Sequence, residues 1–353
     1  MDYSGRYRPV RALQPEDDFN HEVESHPFFN ESRYVHLIDG GQGLGGWFRI
    51  GQRANQRMSE MTVCLYLPDG RLGFMFARPD VVSQNVIEAA GMRFDVVQPL
   101  QRMRLQYEGP LFLLGDGAAM EDPKAAFVSE ARADARVDLY FDAVAAAHGG
   151  ELLGDDGEPF DEGEGLYFAR AHYDQAVQGS GNIQVGAENW SIHGFGLRDH
   201  SWGPRIWQAI PWYRWFPCTF GPDLAICLMV VQQASGELLK TGFLHCDDGA
   251  LRLVSDIRLV TRYSDDGFYY PLSFNLSFAD GSGKRFEVQG ETVANAPCRH
   301  WRKLPDGTTD KSRIVECMTR YTLNGRVGWG MAEYMDHQDQ SDGLVWEGIC
   351  AGY

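Results

Sequence analysis

Apolar and polar side chains alternate at every second position along much of this chain, as they do in half-buried β-strands. In "KRFEVQGETV", Phe286 and Val288 fall on one face while Glu287 and Gln289 fall on the other. Asp-Gly or Asn-Gly dipeptides recur between such runs, for example at 69–70, 248–249 and 324–325. These dipeptides accept the positive φ angles of tight hairpin turns. The pattern predicts an all-β protein with few short helices, built as a sandwich or an up-and-down barrel.

Two stretches depart from the strand pattern. "DPKAAFVSEARADARV", from Asp122, begins with Asp-Pro and continues with good helix formers, so it predicts one short helix. "GQGLGG" at 41–46 fits the glycine spacing of a dinucleotide-binding loop. The residues that follow, "WFRIGQRANQ", lack the helical period that such a loop requires. We therefore predict a bend that leads into a strand.

The length of 353 residues suits two domains, each able to bury its own core. The acidic, glycine-rich stretch "GGELLGDDGEPFDEGEG" at 149–165 is the best candidate for a linker or long loop. We place the boundary after it. The prediction is an N-terminal barrel over 1–178 and a C-terminal barrel over 179–353, the second carrying the central "RDHSWG" motif.

The net charge of −17 argues against nucleic acid and anionic membrane surfaces as partners, because both require a basic face. No apolar run approaches the length of a membrane span, and the first residues contain no secretory signal. Seven scattered cysteines form no Cys-x-x-Cys pair. We therefore expect a cytoplasmic monomer or homodimer with reduced thiols and no membrane span.

The densest chemistry lies in "FGLRDHSWGPRIW" at 195–207. In a strand, Arg198, His200 and Trp202 share one face and Asp199 takes the other. Histidine carries protons near neutral pH, and tryptophan rings stabilise developing positive charge. A buried Arg198–Asp199 pair is equally well a structural clasp, so both interpretations stay open.

A second cluster follows in "APCRHW" and "GRVGWGMAEY", which contain His300, Trp329 and Glu333. Glu333 is either a partly buried carboxyl with a raised pKa or a solvent-facing strand residue. Possible metal ligands are His172 with Asp174, His193 with His200, and His300 and His337. No His-x-x-x-His or His-Glu-x-x-His helix is present, and only a bend would bring His193 and His200 together. We therefore expect no metal and no organic cofactor.

Taken together, "GFGLRDHSWGPRIW", the preceding "HYDQAVQGSGNIQVG" and the later "GRVGWGMAEY" resemble the AttH/carotenoid 1,2-hydratase-like family, in particular a bacterial branch with an Arg-Asp-His-Ser-Trp-Gly motif. The resemblance implies two tandem lipocalin-like (calycin) β-barrels and a ligand cavity. Members of the wider group hydrate isoprenoid double bonds or a prenyl side chain, and related fungal proteins catalyse pericyclic cyclisations. The motif positions of the family fall on Asp199, His200 and Trp202.

The resulting hypothesis is a cofactor-free hydratase, dehydratase or isomerase that moves protons on an apolar isoprenoid, steroid or aromatic-prenyl molecule. A non-catalytic carrier of a hydrophobic ligand and a pericyclase are the alternatives. The predicted catalytic residues are His200, with Asp199 or Arg198 tuning it, and Glu333 or His300 activating water. The predicted substrate-binding residues are Trp202, Arg205, Trp207, Trp212, His300 and Trp329.

Overall fold

The computed structural model describes residues 10–81, 83, 85–159, 169–232, 236–303 and 307–337. Within them nearly all regular structure is antiparallel β-strand, which confirms the predicted fold class. The described chain divides into two units. The first contains residues 10–116 and 124–206, and the second contains residues 117–123 and 207–337.

The first unit is a barrel of eight antiparallel strands with three short additions. In chain order its strands are β1 (Phe29–Asp39), β2 (Leu44–Arg53), β3 (Met58–Tyr66), β4 (Leu72–Ala77), β5 (Ile87–Ala89), β6 (Met92–Gln98), β7 (Arg102–Leu114), β8 (Ala131–Ala143), β9 (His148–Glu151), β10 (Ala171–Val185) and β11 (Glu188–Pro204). The ring runs β4-β3-β2-β1-β11-β10-β8-β7. It closes where β7 returns to β4, with Phe74 opposite Phe112. β6 and β5 continue from β7, and β9 pairs with β10.

The second unit is a simple meander that closes on itself. Its strands are β12 (Trp212–Gly221), β13 (Leu224–Gln232), β14 (Leu238–His245), β15 (Leu251–Tyr263), β16 (Pro271–Asp280), β17 (Arg285–Lys303), β18 (Thr309–Leu323) and β19 (Arg326–His337). Each strand pairs with the next, and β12 pairs with β19 to close the barrel. The turn between β18 and β19 has Asn324 at φ 49° and Gly325 at φ 80°. A two-residue hairpin turn of type I′ requires a positive φ at both of its central residues.

The helical elements are short. The predicted helix is present as α1 (Pro123–Ser129), and the remainder of that stretch forms β8. Single turns of 3-10 helix occupy Pro15–Asp18, Ala54–Gln56, Gly117–Glu121 and Trp207–Ala209. The glycine-rich stretch at 41–46 is the β1–β2 turn, where Gly43 has a φ of 64° and β2 begins one residue later. The predicted bend is confirmed.

The predicted domain boundary after residue 178 falls inside β10. This strand is hydrogen-bonded to β11 on one side and to β8 on the other, so a cut there would break two ladders. The two units instead divide between residues 206 and 207. The "RDHSWG" motif therefore lies in the first barrel and not in the C-terminal one. Of the predicted linker, residues 149–151 belong to β9, and residues 160–165 lie outside the described residues.

Inward-facing apolar side chains fill each barrel, as expected for rings of eight strands. The first core includes Val35, Leu37, Phe48, Ile50, Leu105, Leu139 and Val177. The second includes Trp212, Phe216, Leu228, Phe274, Tyr321 and Tyr334. On β1 the inward series continues from Leu37 and Val35 back to Arg33 and Glu31. Polar side chains therefore replace apolar ones toward the start of β1.

Candidate functional site

The motif strand β11 lies between β1 and β10 in the wall of the first barrel. His200 is opposite Arg33 of β1 and opposite Tyr173 of β10. Directly opposite residues of antiparallel strands point to the same face, and the same face of β1 supplies core residues farther along. His200 therefore points into the barrel, together with Arg198 and Trp202. The side-chain alternation expected from the sequence is present.

Arg198 is held by a buried acidic partner. Its Nη1 donates to Asp18 Oδ1 at 2.9 Å, and its Nε donates to Gln175 Oε1 at 2.7 Å. Asp18 also accepts hydrogen bonds from the Tyr173 hydroxyl at 2.7 Å and the Leu100 amide at 2.6 Å. These contacts attach the 3-10 turn at Pro15–Asp18 to the interior of the barrel. Arg198 therefore has a structural partner that the sequence did not predict.

A second buried charge pair lies beside the first. Arg33 Nη1 is 3.9 Å from Glu31 Oε1, and both side chains are almost fully buried. Arg33 also donates to Asn20 Oδ1 at 2.6 Å and to the Asp18 carbonyl at 3.0 Å. Two guanidinium groups, Arg33 and Arg198, thus face two carboxylates, Asp18 and Glu31. The four charges balance, which is the condition under which ionised groups are retained in a protein interior.

His200 is bonded to one of these carboxylates. Its Nε2 donates to Glu31 Oε1, and His21 Nδ1 lies 3.2 Å from the same oxygen. The His21 ring stacks on Trp202 with 3.9 Å between centroids, and the Tyr173 ring meets His200 edge-on. His200 Nδ1 is buried and has no hydrogen-bond partner among the described residues. One ring nitrogen is thus fixed by a carboxylate, and the other keeps its lone pair.

The environment sets the charge of this pair. Burial, with the nearby charge of Arg33, lowers the pKa of His200 to about 4, although Glu31 opposes the shift. Burial favours a protonated Glu31, but the hydrogen bonds from His200 and His21 and the charge of Arg33 outweigh it and lower the pKa of Glu31. At neutral pH Glu31 is therefore ionised and His200 is neutral. That is the resting state of a general base oriented by a carboxylate.

Asp199 lies on the opposite face of β11 and does not contact the ring of His200. Its carboxylate accepts from His172 Nε2, and Asp174 Oδ1 is 3.5 Å from the same nitrogen. Burial opposes a charged His172, but the two carboxylates outweigh it and raise its pKa to about 10. The predicted tuning of His200 by Asp199 thus has no direct contact to support it. Glu31 occupies the position that this role requires.

Among the described residues, two groups of side chains have the donor atoms to hold a metal ion. The ligand atoms of His21, Glu31 and His200 lie within 4.8 Å of one another, and so do those of His172, Asp174 and Asp199. The sequence offered His172 with Asp174, two members of the second group, but predicted neither complete group. Another pair that it offered, His193 and His200, lies on one continuous strand, seven residues and about 23 Å apart. These two histidines do not meet.

The other predicted residues are distributed over both units. Arg205 follows the motif strand in the first unit, and its carbonyl accepts from Arg53 Nη1 at 3.4 Å. In the second unit the Trp207 and His300 rings lie 4.7 Å apart, and Trp212 is fully buried in the core. Trp329 is half-buried on β19.

Glu333 lies on the outward-facing side of β19, since Ala332 and Tyr334 on either side of it belong to the core. It is buried, with a relative exposure of 8%, and it accepts a hydrogen bond from the Tyr213 hydroxyl. Of the two interpretations that the sequence left open, the structure favours a buried carboxyl over a solvent-facing strand residue.

Glu31 and His21 are the site residues that sequence reasoning missed. The signal for Glu31 was present in "FNESRYVHLI", where Glu31 and Arg33 interrupt an apolar series that continues with Val35 and Leu37. Charged residues on the inward face of a strand indicate a functional or paired site. His21 carries no such signal, because it lies outside any strand.

Comparisons with known proteins agree with this architecture. A crystal structure of an AttH-like protein from Nitrosomonas europaea superposes with a TM-score of 0.59 at 17% identity, covering 94% of this chain and 97% of the other. Kievitone hydratase from Nectria haematococca superposes with a TM-score of 0.57 at 10% identity, covering 93% of each chain. At these identities the likeness establishes the fold. The fold of this chain, two lipocalin-like β-barrels, is similar to that of the AttH-like protein.

Residues 14–338 match the family described as domain of unknown function DUF7064. The chain belongs to this family. No curated protein matches the sequence. Among the described residues, no helix has the length and apolar character that crossing a lipid bilayer requires.

Proposed function

We propose that this protein is a cofactor-free proton-transfer enzyme in which His200 is the acid–base residue and Glu31 orients it. The observation that carries the proposal is the asymmetry of the imidazole. Nε2 is bonded to Glu31, while Nδ1 is buried and has no partner among the described residues. A buried polar atom without a partner costs about 1–3 kcal/mol, so a function for it is the natural explanation.

The reaction follows from this geometry. The Nδ1 lone pair removes a proton from substrate carbon or from water, and the imidazolium that forms is stabilised by Glu31. The same nitrogen then returns the proton to another atom of the substrate. Loss or gain of water gives a dehydratase or hydratase, and transfer without water gives a double-bond isomerase. General acid–base catalysis of this kind contributes about 10²–10⁴-fold in rate.

Aromatic rings surround the proton carrier. Trp202 lies 5.1 Å from the His200 ring, Tyr173 lies 5.3 Å away, and His21 lies 5.6 Å away. Rings of this kind suit an apolar substrate, and their faces favour the positive charge of the imidazolium that forms. An isoprenoid, a steroid or a prenylated aromatic is the proposed substrate class. The roles of Trp207, Trp212, His300, Trp329 and Glu333 in this reaction stay predictions.

The experiment uses the purified protein in D₂O with a panel of such compounds, followed by mass spectrometry. The expected result is deuterium incorporation or a mass change of one water with at least one compound. His200→Gln is expected to reduce the rate by about 100-fold or more while the compound still binds. The matched control is His193→Gln, a more exposed histidine on the same strand, which keeps the wild-type rate.

Three outcomes contradict the proposal. Full turnover by a folded His200→Gln protein removes the proposed acid–base residue. Binding without any chemical change, in wild type and variant alike, identifies a carrier. An isomeric cyclised product formed without deuterium incorporation identifies a pericyclase, which needs shape and a hydrogen-bond donor rather than a proton carrier.

A further inference from the structure

We propose that His172, Asp174 and Asp199 form a binding site for a divalent transition metal ion on the outward-facing side of the first barrel. Their donor atoms, one imidazole nitrogen and two carboxylate oxygens, lie within 4.8 Å of one another. Donors around a tetrahedral Zn²⁺ lie about 3.4 Å apart, given bonds of about 2.1 Å. The distance from His172 Nε2 to Asp174 Oδ1 is 3.5 Å. This spacing fits an ion, which would take the place of the direct hydrogen bond between His172 and Asp199.

The strand register explains why these residues converge. Asp174 of β10 is directly opposite Asp199 of β11, and His172 lies two residues before Asp174 on the same face. Like charges directly opposite each other destabilise a pair of strands unless a cation lies between them. Adjacent strands of one sheet also hold ligands more rigidly than loops do. The pairing of β10 with β11 thus creates a position at which a positive charge is favourable.

Burial and access favour a metal ion as that charge. The side chains of Asp174 and Asp199 are 10% and 19% exposed, whereas that of His172 is 34% exposed. The carboxylates are shielded from water, and an ion still reaches them from the side of the imidazole. His148 of β9 is directly opposite Asp174 and therefore lies on the same face, where it is the candidate for a fourth ligand.

The donor set selects the class of ion. One imidazole nitrogen and two carboxylate oxygens suit Zn²⁺ or Mn²⁺. Ca²⁺ requires six to eight oxygen ligands, and Cu⁺ prefers sulfur. The site is independent of the proposed acid–base pair, because residues 199 and 200 point to opposite faces of β11. The same three side chains can alternatively neutralise one another without an ion, with a charged imidazole between two carboxylates.

Calorimetric titration of the EDTA-treated, full-length protein with ZnCl₂ separates these possibilities, and MnCl₂ titration followed by electron paramagnetic resonance gives a second readout. We expect one equivalent of metal to bind. Asp199→Asn and His172→Gln are each expected to weaken binding by about tenfold or more. His193→Gln, on the same strand, and His200→Gln, from the other group of potential ligands, are expected to bind as wild type does.

Three results overturn the site. Wild-type protein that binds neither ion at millimolar concentration shows that the three side chains only neutralise one another. Binding that survives both ligand substitutions is adventitious. Binding that is lost in His200→Gln instead places the ion at His21, Glu31 and His200. Circular dichroism checks that each variant is folded, and Asp174→Asn replaces any variant that is not. Failure here leaves the deuterium experiment on His200 unaffected.

Discussion

Replacing Glu31 with glutamine should destabilise the first barrel strongly. The substitution keeps the size of the side chain and one acceptor oxygen, but it removes the negative charge beside Arg33 on the same face of β1. The other buried carboxylate, Asp18, is already bonded to Arg198 at 2.9 Å. Arg33 is 4% exposed, so water does not replace the lost charge. A buried guanidinium is left uncompensated.

The structure gives the size of the effect. Charges 3.9 Å apart, the distance between Arg33 Nη1 and Glu31 Oε1, attract by about 4 kcal/mol at an effective dielectric constant of about 20. Breaking one member of a buried pair typically costs about 3–5 kcal/mol. The expected loss of unfolding free energy is therefore about 4 kcal/mol. Asp69→Asn is the control, because the Asp69–Arg71 pair is exposed and contributes about 1 kcal/mol or less.

Urea unfolding followed by circular dichroism and tryptophan fluorescence measures this loss. The double variant Glu31→Gln/Arg33→Met removes both charges and should recover most of the lost stability. The reasoning is refuted if Glu31→Gln costs less than about 1 kcal/mol. It is also refuted if the double variant is no more stable than Glu31→Gln alone.

Three further predictions concern the same barrel. Asp18→Asn leaves Arg198 without its anionic partner, so it should lower the free energy of unfolding by about 3–5 kcal/mol. Residues 15–21 should also become sensitive to proteases, and a variant as resistant as the wild type would contradict this prediction. Both ring nitrogens of His36 are buried without a hydrogen-bond partner in the part of the chain that the structure describes, and burial lowers its pKa to about 3. Stability should therefore decrease as pH falls from 6.5 toward 3, since only the unfolded chain takes up the proton. His36→Leu should reduce this dependence of the unfolding free energy on pH and stabilise the protein by about 1–2 kcal/mol. An unchanged slope of the unfolding free energy against pH would contradict this prediction. Gly196→Ala would place a Cβ 1.8 Å from the His36 carbonyl oxygen, so unfolding midpoints should fall far more than for Gly115→Ala, where a Cβ meets no atom within 4 Å.

Local patterns in the sequence were sufficient for the strands and for the orientation of His200. Alternation over "LRDHSW" places Arg198, His200 and Trp202 on one face, because the side-chain period of a strand is two wherever the strand lies. The partner of His200 was not accessible in this way. Glu31 is 169 residues away in sequence, and only the pairing of β1 with β11 brings the two together.

The domain boundary was misplaced for a related reason. The acidic, glycine-rich stretch separates β9 from β10 within one barrel, so its composition indicates a connection but not a division between units. The strand that completes the first ring, β11, follows that stretch and is inserted beside β1. The residues of "ENWSIHGFGLRDHSWGP" contain no local pattern that predicts pairing with β1.

The state of the His200 imidazole at neutral pH tests the central claim most directly. Long-range ¹⁵N–¹H NMR of histidine-labelled protein, with His200→Gln to assign the signal, reports which ring nitrogen carries the proton and needs no substrate. We predict a neutral ring protonated at Nε2, with Nδ1 unprotonated, and a midpoint near the pKa of about 4. A ring protonated at Nδ1, or an imidazolium that persists above neutral pH, would contradict the proposal that His200 is the proton acceptor.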